Sequence, residues 1–316
     1  MAKEAVILLN MGGPNNLNEV EMFLKNMFAD KNILTVKNSI LRKLIGGMIV
    51  FNRVESSQEI YRQLGGKSPI VDHTKSLVSK LQKKLGNDIL VDFVMRYTPP
   101  FASEVISRLN EANIEKIYLI PLYPQFSTTT TKSSLEDFQE CYHLEGRDAL
   151  LVEKKYFFEN VNYNKSVIEK IKKSVGSDNY RDFDMIFSAH GLPQKIVDAG
   201  DVYESHIKKH VEILKKMLES EGINFHEIHL AYQSKVGPLE WLKPSLEDKL
   251  KVVRNRGVII VPIAFTIDNS ETVFELEVEY REVAKELGFS EYRVVKCSND
   301  SSLFVDALVE IYEKMK

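Results

Sequence analysis

The stretch RGVIIVPIAFTIDNSETVFELEVEY, from Arg256 to Tyr280, predicts a buried strand that leads directly into a helix. Its apolar run, Val258 to Phe265, has the length expected of a strand covered on both faces of a parallel sheet. Within the helix, Glu271, Glu275 and Glu279 are four residues apart and are predicted to stack on one face. Because like charges at this spacing cost a few tenths of a kcal/mol per pair, the pattern indicates that something compensates them.

Two interpretations of these carboxylates stay open at this stage. Ligands of open α/β sheets gather at the carboxyl ends of strands, so the acidic face is consistent with a cation site or a site of proton transfer. Asp268 followed three residues later by Glu271 also resembles a capping box, and acidic residues in a first turn favour the helix dipole. The stretch alone does not choose between chemistry and capping.

Length and composition exclude several classes of protein. The chain has 316 residues, of which 44% are hydrophobic, enough for one large domain or two ordinary ones. A net charge of -3 gives no basic surplus for nucleic acid. Cys141 and Cys297 are too few and too far apart for a disulfide framework, which fits a reducing cytosol. Without a basic leader or an apolar run of about 20 residues, the sequence predicts a soluble, cytoplasmic protein.

The second half of the chain repeats the layout of the first. The predicted strands are Ala5–Asn10, Ile89–Met95, Lys116–Leu122 and Leu150–Phe157, with counterparts at Met185–Ala189, Ile228–Tyr232, Val258–Ala264 and Tyr292–Lys296. The offset is roughly 180 residues for the first pair and about 140 for the others, which indicates an insertion of about forty residues in the first half. The alternation predicts an α/β fold of two similar domains, each with a parallel sheet flanked by helices, and a ligand cleft between them.

The predicted domain boundaries follow from this repeat. Residues 1–160 form the first domain and carry the insertion at about 17–54, residues 161–300 form the second, and residues 301–316 form a helix that packs back on the first. Inside the insertion, Ile40 to Ile49 has an apolar stripe of helical period. The stripe suits either a helix packed on its own core or an exposed lip that meets an apolar ligand or a bilayer surface.

Histidine adds a second kind of functional group. His190 lies at the carboxyl end of a predicted strand of the second domain. Glu271 and Glu275 follow the end of another strand of the same domain. Imidazole with carboxylate suits a divalent cation of borderline hardness, or proton transfer near neutral pH, although a single histidine at a strand end also serves structure alone. His206 and His210 lie in a lysine-rich helix and are interpreted as a solvated face. The turn after the first strand lacks the dinucleotide glycine fingerprint.

Several stretches together resemble a known family, the ferrochelatases. They are LLNMGGP at Leu8–Pro14, QLGGKSPI at Gln63–Ile70, MRYTPP at Met95–Pro100, LYPQFSTTTT at Leu122–Thr131, FSAHGLP at Phe187–Pro193, QSKVGPLEWLKP at Gln233–Pro244, VPIAFTIDNSETVFELEVEY at Val261–Tyr280 and CSNDSSLF at Cys297–Phe304. The resemblance runs nearly end to end. It implies two Rossmann-like, chelatase-type domains that insert Fe²⁺ into protoporphyrin IX, the last step of haem biosynthesis, giving protohaem and two released protons.

The resemblance also implies roles for individual residues. His190 and Glu271 match the family's catalytic residues, and together with Glu275 they match its proposed metal path. The expected porphyrin-binding residues are Met11, Arg96, Tyr97, Tyr123, Trp241 and Phe265. A flat apolar macrocycle suits aromatic and thioether walls with an arginine for its carboxylates. Distortion of the ring together with a placed base is the expected mechanism.

Further expectations concern ligands and surroundings. Iron is expected as a substrate rather than a prosthetic group, and no iron–sulfur cluster is expected with two cysteines. The lip is expected to make peripheral contact with the inner face of the membrane. Asn269 stands where many family members have a histidine, two residues before the essential glutamate. The alternatives are a coproporphyrin ferrochelatase, a non-catalytic porphyrin or haem carrier on the same fold and, more distantly, a nucleotide-dependent dehydrogenase.

Overall fold

A computed structural model of the chain describes residues 2–146, 148–235, 237–255 and 257–316. Arg256, where the stretch quoted above begins, and Val236, within the motif at Gln233–Pro244, lie outside the described residues. The chain divides into two compact units. Unit 1 comprises Met1–Phe157 and Leu308–Lys316, and unit 2 comprises Phe158–Ala307.

Unit 1 contains a parallel sheet whose strands, within the described residues, are ordered β2-β1-β3-β4. The strands are β1 (Glu4–Asn10), β2 (Ile89–Met95), β3 (Lys116–Pro121) and β4 (Leu150–Glu153). Residues 5–10 of β1 are buried because the strand pairs on both edges and is covered by helices on both faces. The predicted fourth strand, Leu150–Phe157, is wrong in length: β4 pairs with β3 for four residues and then leaves the sheet.

The helices of unit 1 include the insertion. They are a 3₁₀ turn (Leu17–Glu19), α1 (Val20–Ala29), α2 (Ser39–Gln63), α3 (Ile70–Leu85), α4 (Ala102–Glu111), a π-helical turn (Thr128–Lys132) and α5 (Ser133–Glu145). The side chain of Asn38 caps the start of α2 by accepting from the amides of Ile40 and Leu41. Helix α2 continues to Gln63, beyond the predicted end of the insertion at 54. It stops before Gly65 and Gly66, which both have positive φ.

Most of the apolar stripe of α2 is exposed, so its interpretation as the face of a helix packed on a core is wrong for all but the partly buried Ile45 and Ile49, of which Ile49 packs against the core of unit 1. Ile40, Leu41, Leu44, Met48 and Phe51 are all exposed, and Phe51 is 83% accessible. The buried positions of this part of α2 are Gly46 and Val50. A side chain on Gly46 would come 3.1 Å from the carbonyl oxygen of Phe28, so the glycine allows α1 and α2 to pack closely.

Unit 2 repeats the sheet with the order β6-β5-β7-β8 in its described part. The strands are β5 (Phe183–His190), β6 (Ile228–Gln233), β7 (Gly257–Pro262) and β8 (Glu291–Val294). The helices are α6 (Val161–Val175), a 3₁₀ turn (Tyr180–Asp182), α7 (Gln194–Asp198), α8 (Tyr203–Ser220), α9 (Leu246–Val252), a π-helix (Glu271–Glu279) and α10 (Tyr280–Glu286). Two parallel sheets flanked by helices confirm the predicted fold class.

The last helix, α11 (Ser302–Met315), begins in unit 2 and continues into unit 1 at Leu308. In unit 1 the ring of Tyr312 packs edge-on against Tyr118 with centroids 4.9 Å apart, and its hydroxyl donates to Glu4 at 2.7 Å. Among the described residues, none of the helices combines the length and apolar character needed to cross a bilayer.

Candidate active site

His190 and Glu271 meet at the carboxyl edge of the sheet in unit 2. His190 is the last residue of β5, and Glu271 opens the π-helix that follows β7. The Nδ1 atom of His190 lies 3.0 Å from Oε2 of Glu271. About a third of the His190 side chain and a quarter of the Glu271 side chain are exposed. The predicted catalytic residues therefore form a contact pair that solvent and a ligand can reach.

The imidazole of His190 is held by further contacts. The hydroxyl of Tyr203 donates to the backbone carbonyl of His190 at 2.9 Å, and the ring of Phe265 lies edge-on to the imidazole with centroids 6.4 Å apart. Burial lowers the pKa of His190, but the charges of Glu271 and Glu275 and the hydrogen bond to Glu271 outweigh burial, so the pKa is raised overall. The histidine is thus a stronger base than a free imidazole.

The segment that carries Glu271 differs from the predicted α-helix. Glu271–Glu279 is a π-helix, whose hydrogen bonds run from i to i+5, so residues four apart do not stack as in an α-helix. Glu279 is exposed, while Glu275 turns toward the end of β6. The predicted ladder of three stacked carboxylates is therefore wrong in geometry, although its first two members both belong to the site.

The capping-box interpretation of Asp268 is also wrong, because Asn269 takes that role. The Oδ1 atom of Asn269 accepts from the amides of Glu271 at 2.8 Å and Thr272 at 3.3 Å. Asp268 instead accepts from the Thr272 hydroxyl and from the side chain of Asn299, which ties the start of the π-helix to the loop after β8. Asn269 and Asp268 are both buried, so these bonds fix the start of the π-helix and thereby the position of Glu271.

Glu275 is held by Gln233 and Ser234, the first two residues of the motif QSKVGPLEWLKP, for which the sequence predicted no role. Its carboxylate accepts from the side chain of Gln233 at 3.0 Å, and from the amide and hydroxyl of Ser234 at 2.8 and 2.5 Å. Burial and the neighbouring charge of Glu271 raise the pKa of Glu275, while the bonds from Ser234 and Gln233 act in the opposite direction. Ser234 has a φ of 64°, a conformation that costs a residue with a side chain about 1–3 kcal/mol.

The predicted metal path does not form a closed set of ligands. Within the described ranges, no three histidine, cysteine, aspartate or glutamate side chains come together in an arrangement that could hold a metal ion. His190 and Glu271 contact each other, whereas the oxygens of Glu275 face Gln233 and Ser234.

Trp241 lies against the turn that follows His190. It forms an isolated antiparallel bridge with Pro193. A side chain on Gly191 would come 2.9 Å from the carbonyl oxygen of Gln233 and 3.2 Å from the indole ring, so the indole and the turn are in close contact. Trp241 and Phe265 are half-buried, which is the degree of exposure expected of side chains that line a ligand site.

Unit 1 brings together its own predicted porphyrin-binding residues. The amide of Tyr97 donates to the carbonyl of Met11 at 3.0 Å, and the guanidinium of Arg96 lies 5.1 Å from the centre of the Tyr97 ring. The hydroxyl of Tyr123 lies 3.1 Å from that of Ser134. Met11, Arg96 and Tyr123 are half-buried, but Tyr97 is only 3% exposed and packs in a core with Phe23 and its neighbours.

Arg96 is paired with carboxylates, which the sequence did not predict. Its guanidinium lies 2.9 Å from Asp137 and 3.4 Å from Asp30, and its Nε donates to Ser133 at 3.1 Å. Asp30 is buried and also accepts from the hydroxyls of Tyr97 and Ser133. Burial raises the pKa of Asp137, and the charge of Arg96 lowers it in part. One cation therefore faces two carboxylates.

The predicted solvated face at His206 and His210 is wrong. His210 is fully buried, its Nε2 lies 2.7 Å from Oδ1 of Asn164, and burial lowers its pKa to about 3. His206 is half-buried, and the ring of Phe158 packs against it with centroids 4.8 Å apart. Helical spacing placed both histidines on one face of α8, but that face is turned to the interior.

Solved chelatases share this fold. SirB from Bacillus subtilis, solved with Fe³⁺, superposes with a TM-score of 0.58 at 11% identity and covers 99% of this chain and 95% of its own. CbiX, described as the terminal enzyme of sirohaem biosynthesis in denitrifying bacteria, gives a TM-score of 0.55 at 9% identity, with 99% of each chain covered. The chain therefore has the fold seen in these two chelatases.

The family to which the chain belongs follows from its sequence. A ferrochelatase family model matches residues 3–316. The ferrochelatase of Sulfurimonas denitrificans is 67% identical over 316 residues, covering the whole of both chains, and that of Nitratiruptor sp. is 48% identical over 312 residues, covering 99% of this chain and all of the relative. The chain belongs to the ferrochelatase family, and it is a metal chelatase of the lyase class.

Proposed function

We propose that the chain inserts Fe²⁺ into protoporphyrin IX to give protohaem, and that His190 and Glu271 remove the pyrrole protons. The observation that carries the proposal is the 3.0 Å contact between Nδ1 of His190 and Glu271 at a solvent-accessible strand end. Fe²⁺ replaces two N–H protons of the macrocycle, so the reaction needs a base that takes each proton in turn and returns it to water.

The contact supports a definite arrangement of protons. When Nδ1–H donates to Glu271, the lone pair of the imidazole lies on Nε2 and is free to accept a pyrrole proton. The carboxylate then stabilises the imidazolium that forms, which agrees with the raised pKa of His190. Because His190 remains partly exposed, the proton can leave to solvent before the second one is taken.

Each unit, taken by itself, has half-buried residues whose surfaces suit a porphyrin. In unit 2, Trp241 and Phe265 supply apolar surface beside His190, and in unit 1, Met11 and Tyr123 offer a thioether and an aromatic ring. We infer a structural role for Tyr97, because its ring is buried and its hydroxyl bonds to Asp30.

The choice of porphyrin rests on the charges around Arg96. Arg96 pairs with Asp30 and Asp137. In a second set of ion pairs, Lys31 and Lys132 face Glu136 and Glu140, so the two sets together hold three positive and four negative charges. A surface without surplus positive charge suits protoporphyrin, which has two carboxylates, better than coproporphyrin, which has four. Arg96 would have to share its guanidinium with Asp30 and Asp137 to hold a propionate.

We further propose that the exposed apolar part of α2 touches a membrane surface. Ile40, Leu41, Leu44, Met48 and Phe51 form a contiguous apolar face near the start of the helix, and Lys43 lies beside them. Apolar side chains flanked by cations favour the boundary between headgroups and acyl chains.

The proposed insertion of iron into the porphyrin needs no prosthetic group, since iron enters as a substrate.

Anaerobic mixing of the purified protein with Fe²⁺ and protoporphyrin IX tests the main proposal. The four visible bands of the free porphyrin should collapse toward two, at a rate that requires His190. Equal rates for wild type and His190→Ala would contradict the assigned base. Tight porphyrin binding without metallation would indicate a carrier, and faster turnover of coproporphyrin would assign the tetra-acid as substrate.

A further inference from the structure

We infer that Gln233 and Ser234, with Ser188 behind them, are positioning residues that fix the carboxylate of Glu275 for the incoming metal ion. The inference rests on the proposed function, because Glu275 is the second acid of the proposed iron path. Gln233, Ser234 and Ser188 act through Glu275.

Ser188, Gln233 and Ser234 together form what we call the clamp on Glu275. Its first part is a chain of side-chain hydrogen bonds that starts in the core. Ser188, on β5, is fully buried and its hydroxyl donates to Oε1 of Gln233 at 2.7 Å. Because the carbonyl end of the amide is occupied in this way, its Nε2 end must point away from Ser188. It donates to Oε2 of Glu275 at 3.0 Å. Ser188 thereby decides which end of Gln233 faces the carboxylate.

The second part of the clamp is Ser234, which immediately follows β6. Its amide donates to Oε1 of Glu275 at 2.8 Å and its hydroxyl donates to Oε2 at 2.5 Å. The backbone reaches this position with a φ of 64°, in the left-handed region that residues with a side chain rarely occupy. Such strain persists where neighbouring contacts determine the conformation, and it is common at functional sites.

These contacts give the two glutamates different hydrogen-bond partners. Three donors spread over both oxygens of Glu275 hold the plane of its carboxylate, whereas Glu271 is bonded to the imidazole of His190. A carboxylate held in place offers its remaining lone pairs to a divalent cation at a fixed point and loses little freedom on binding. Partners behind a ligand typically change metal affinity about 10–100-fold.

Steady-state kinetics with Fe²⁺ and porphyrin varied separately tests this inference. Ser234→Ala and Gln233→Met should raise the KM for Fe²⁺ about 10-fold while the KM for porphyrin stays within about twofold. Ser188→Ala should have a smaller effect, about threefold, because it leaves the Gln233 amide in place but free to turn. Ser234→Asn, which tolerates positive φ and restores a donor, should recover part of the loss.

The matched control is Ser166→Ala, which removes a buried hydroxyl of the same unit that bonds to Ser298 at 2.7 Å, away from Glu275. It should leave both KM values unchanged. Equal increases in the two KM values, or no increase for iron in Ser234→Ala, would overturn the inference. Co²⁺ titration followed by visible absorbance, without porphyrin, provides a second measurement. It tests the clamp even if wild type fails to metallate porphyrin, an outcome that contradicts the proposed function alone.

Discussion

Nδ1 of His190 lies 3.0 Å from Oε2 of Glu271, so the end of β5 is joined to the start of the π-helix after β7 by a single side-chain contact. The contact orients the imidazole and raises its pKa, against the effect of burial. Strands β5 and β7 are neighbours in one sheet, which gives the pair a rigid support.

Replacing Glu271 with Gln should lower the maximal metallation rate and move its acid limb to lower pH. His190 must be neutral to accept a proton, so the wild-type rate should rise as pH increases through the raised pKa. Loss of the carboxylate lowers that pKa. The measurement is kcat/KM for porphyrin from about pH 5.5 to 9, a range that includes the ordinary pKa of a histidine side chain. An acid limb at the same pH in both proteins would contradict the assignment.

Asn269 should be replaceable by Ser but not by Ala. Its Oδ1 caps the π-helix through the amides of Glu271 and Thr272, so Asn269→Ala should cost about 1 kcal/mol of unfolding free energy and misplace Glu271. Ser offers a shorter acceptor of the same kind. Urea unfolding and metallation rate, measured on both variants, check this. Full activity in Asn269→Ala would show that the cap does not position Glu271.

Asp137→Asn should shift porphyrin preference toward the tetra-acid. The substitution removes one of the two carboxylates that face Arg96, so the ratio of coproporphyrin to protoporphyrin turnover should rise about fivefold, equivalent to about 1 kcal/mol for a partly exposed pair. Asp92→Asn is the matched control, because Asp92 pairs with Arg108 in the same unit. A ratio that changes equally in both variants would exclude a specific role for Asp137.

The lip should bind anionic vesicles through its apolar side chains. Leu44→Ser combined with Phe51→Ser should lower the vesicle partition coefficient at least about 10-fold, since each side chain contributes about 1.5–3 kcal/mol when fully buried. Leu144→Ser is the control, as Leu144 is 85% exposed outside the lip. Co-sedimentation with phosphatidylserine vesicles gives the readout. Failure of wild type to sediment would reject membrane contact.

His210 should make unit 2 sensitive to acid. Its folded pKa is lowered to about 3, against an unfolded value of about 6.5, so the unfolded chain binds more protons between these values. Stability is therefore fully present above pH 6.5 and falls with decreasing pH by up to about 1.4 kcal/mol per unit from this group. His210→Gln should show a correspondingly shallower decline in urea unfolding experiments at pH 6.5, 5.5 and 4.5. Parallel curves for the two proteins would contradict this origin.

Much of the fold could be predicted from the sequence because strand β7 is a short continuous apolar run and the same layout occurs twice. The proximity of His190, at the end of one strand, and Glu271, in the helix after another, was also predictable, since parallel strands bring their carboxyl ends to one edge. The observed strand orders confirm the inferred repeat.

What the sequence did not indicate depends on contacts between distant residues. The π-helix at Glu271–Glu279 has the same sequence periodicity as an α-helix and differs in the ring size of its hydrogen bonds. The clamp on Glu275 depends on a left-handed serine at 234, where glycine or asparagine would have been the usual signal. Burial of His210 depends on which side of α8 meets the core, and its lysine neighbours suggested the opposite.

The shared strand order of the two sheets, β2-β1-β3-β4 and β6-β5-β7-β8, is the pattern expected of gene duplication and fusion, with β1 equivalent to β5 and β3 to β7. A π-helical segment follows the third strand of each half, at Thr128–Lys132 and at Glu271–Glu279. One copy carries threonines there and the other glutamates. The two segments therefore differ in charge, with four glutamates in Glu271–Glu279 against a single lysine, Lys132, in Thr128–Lys132, and ancestral reconstruction of a single half would reveal which state came first.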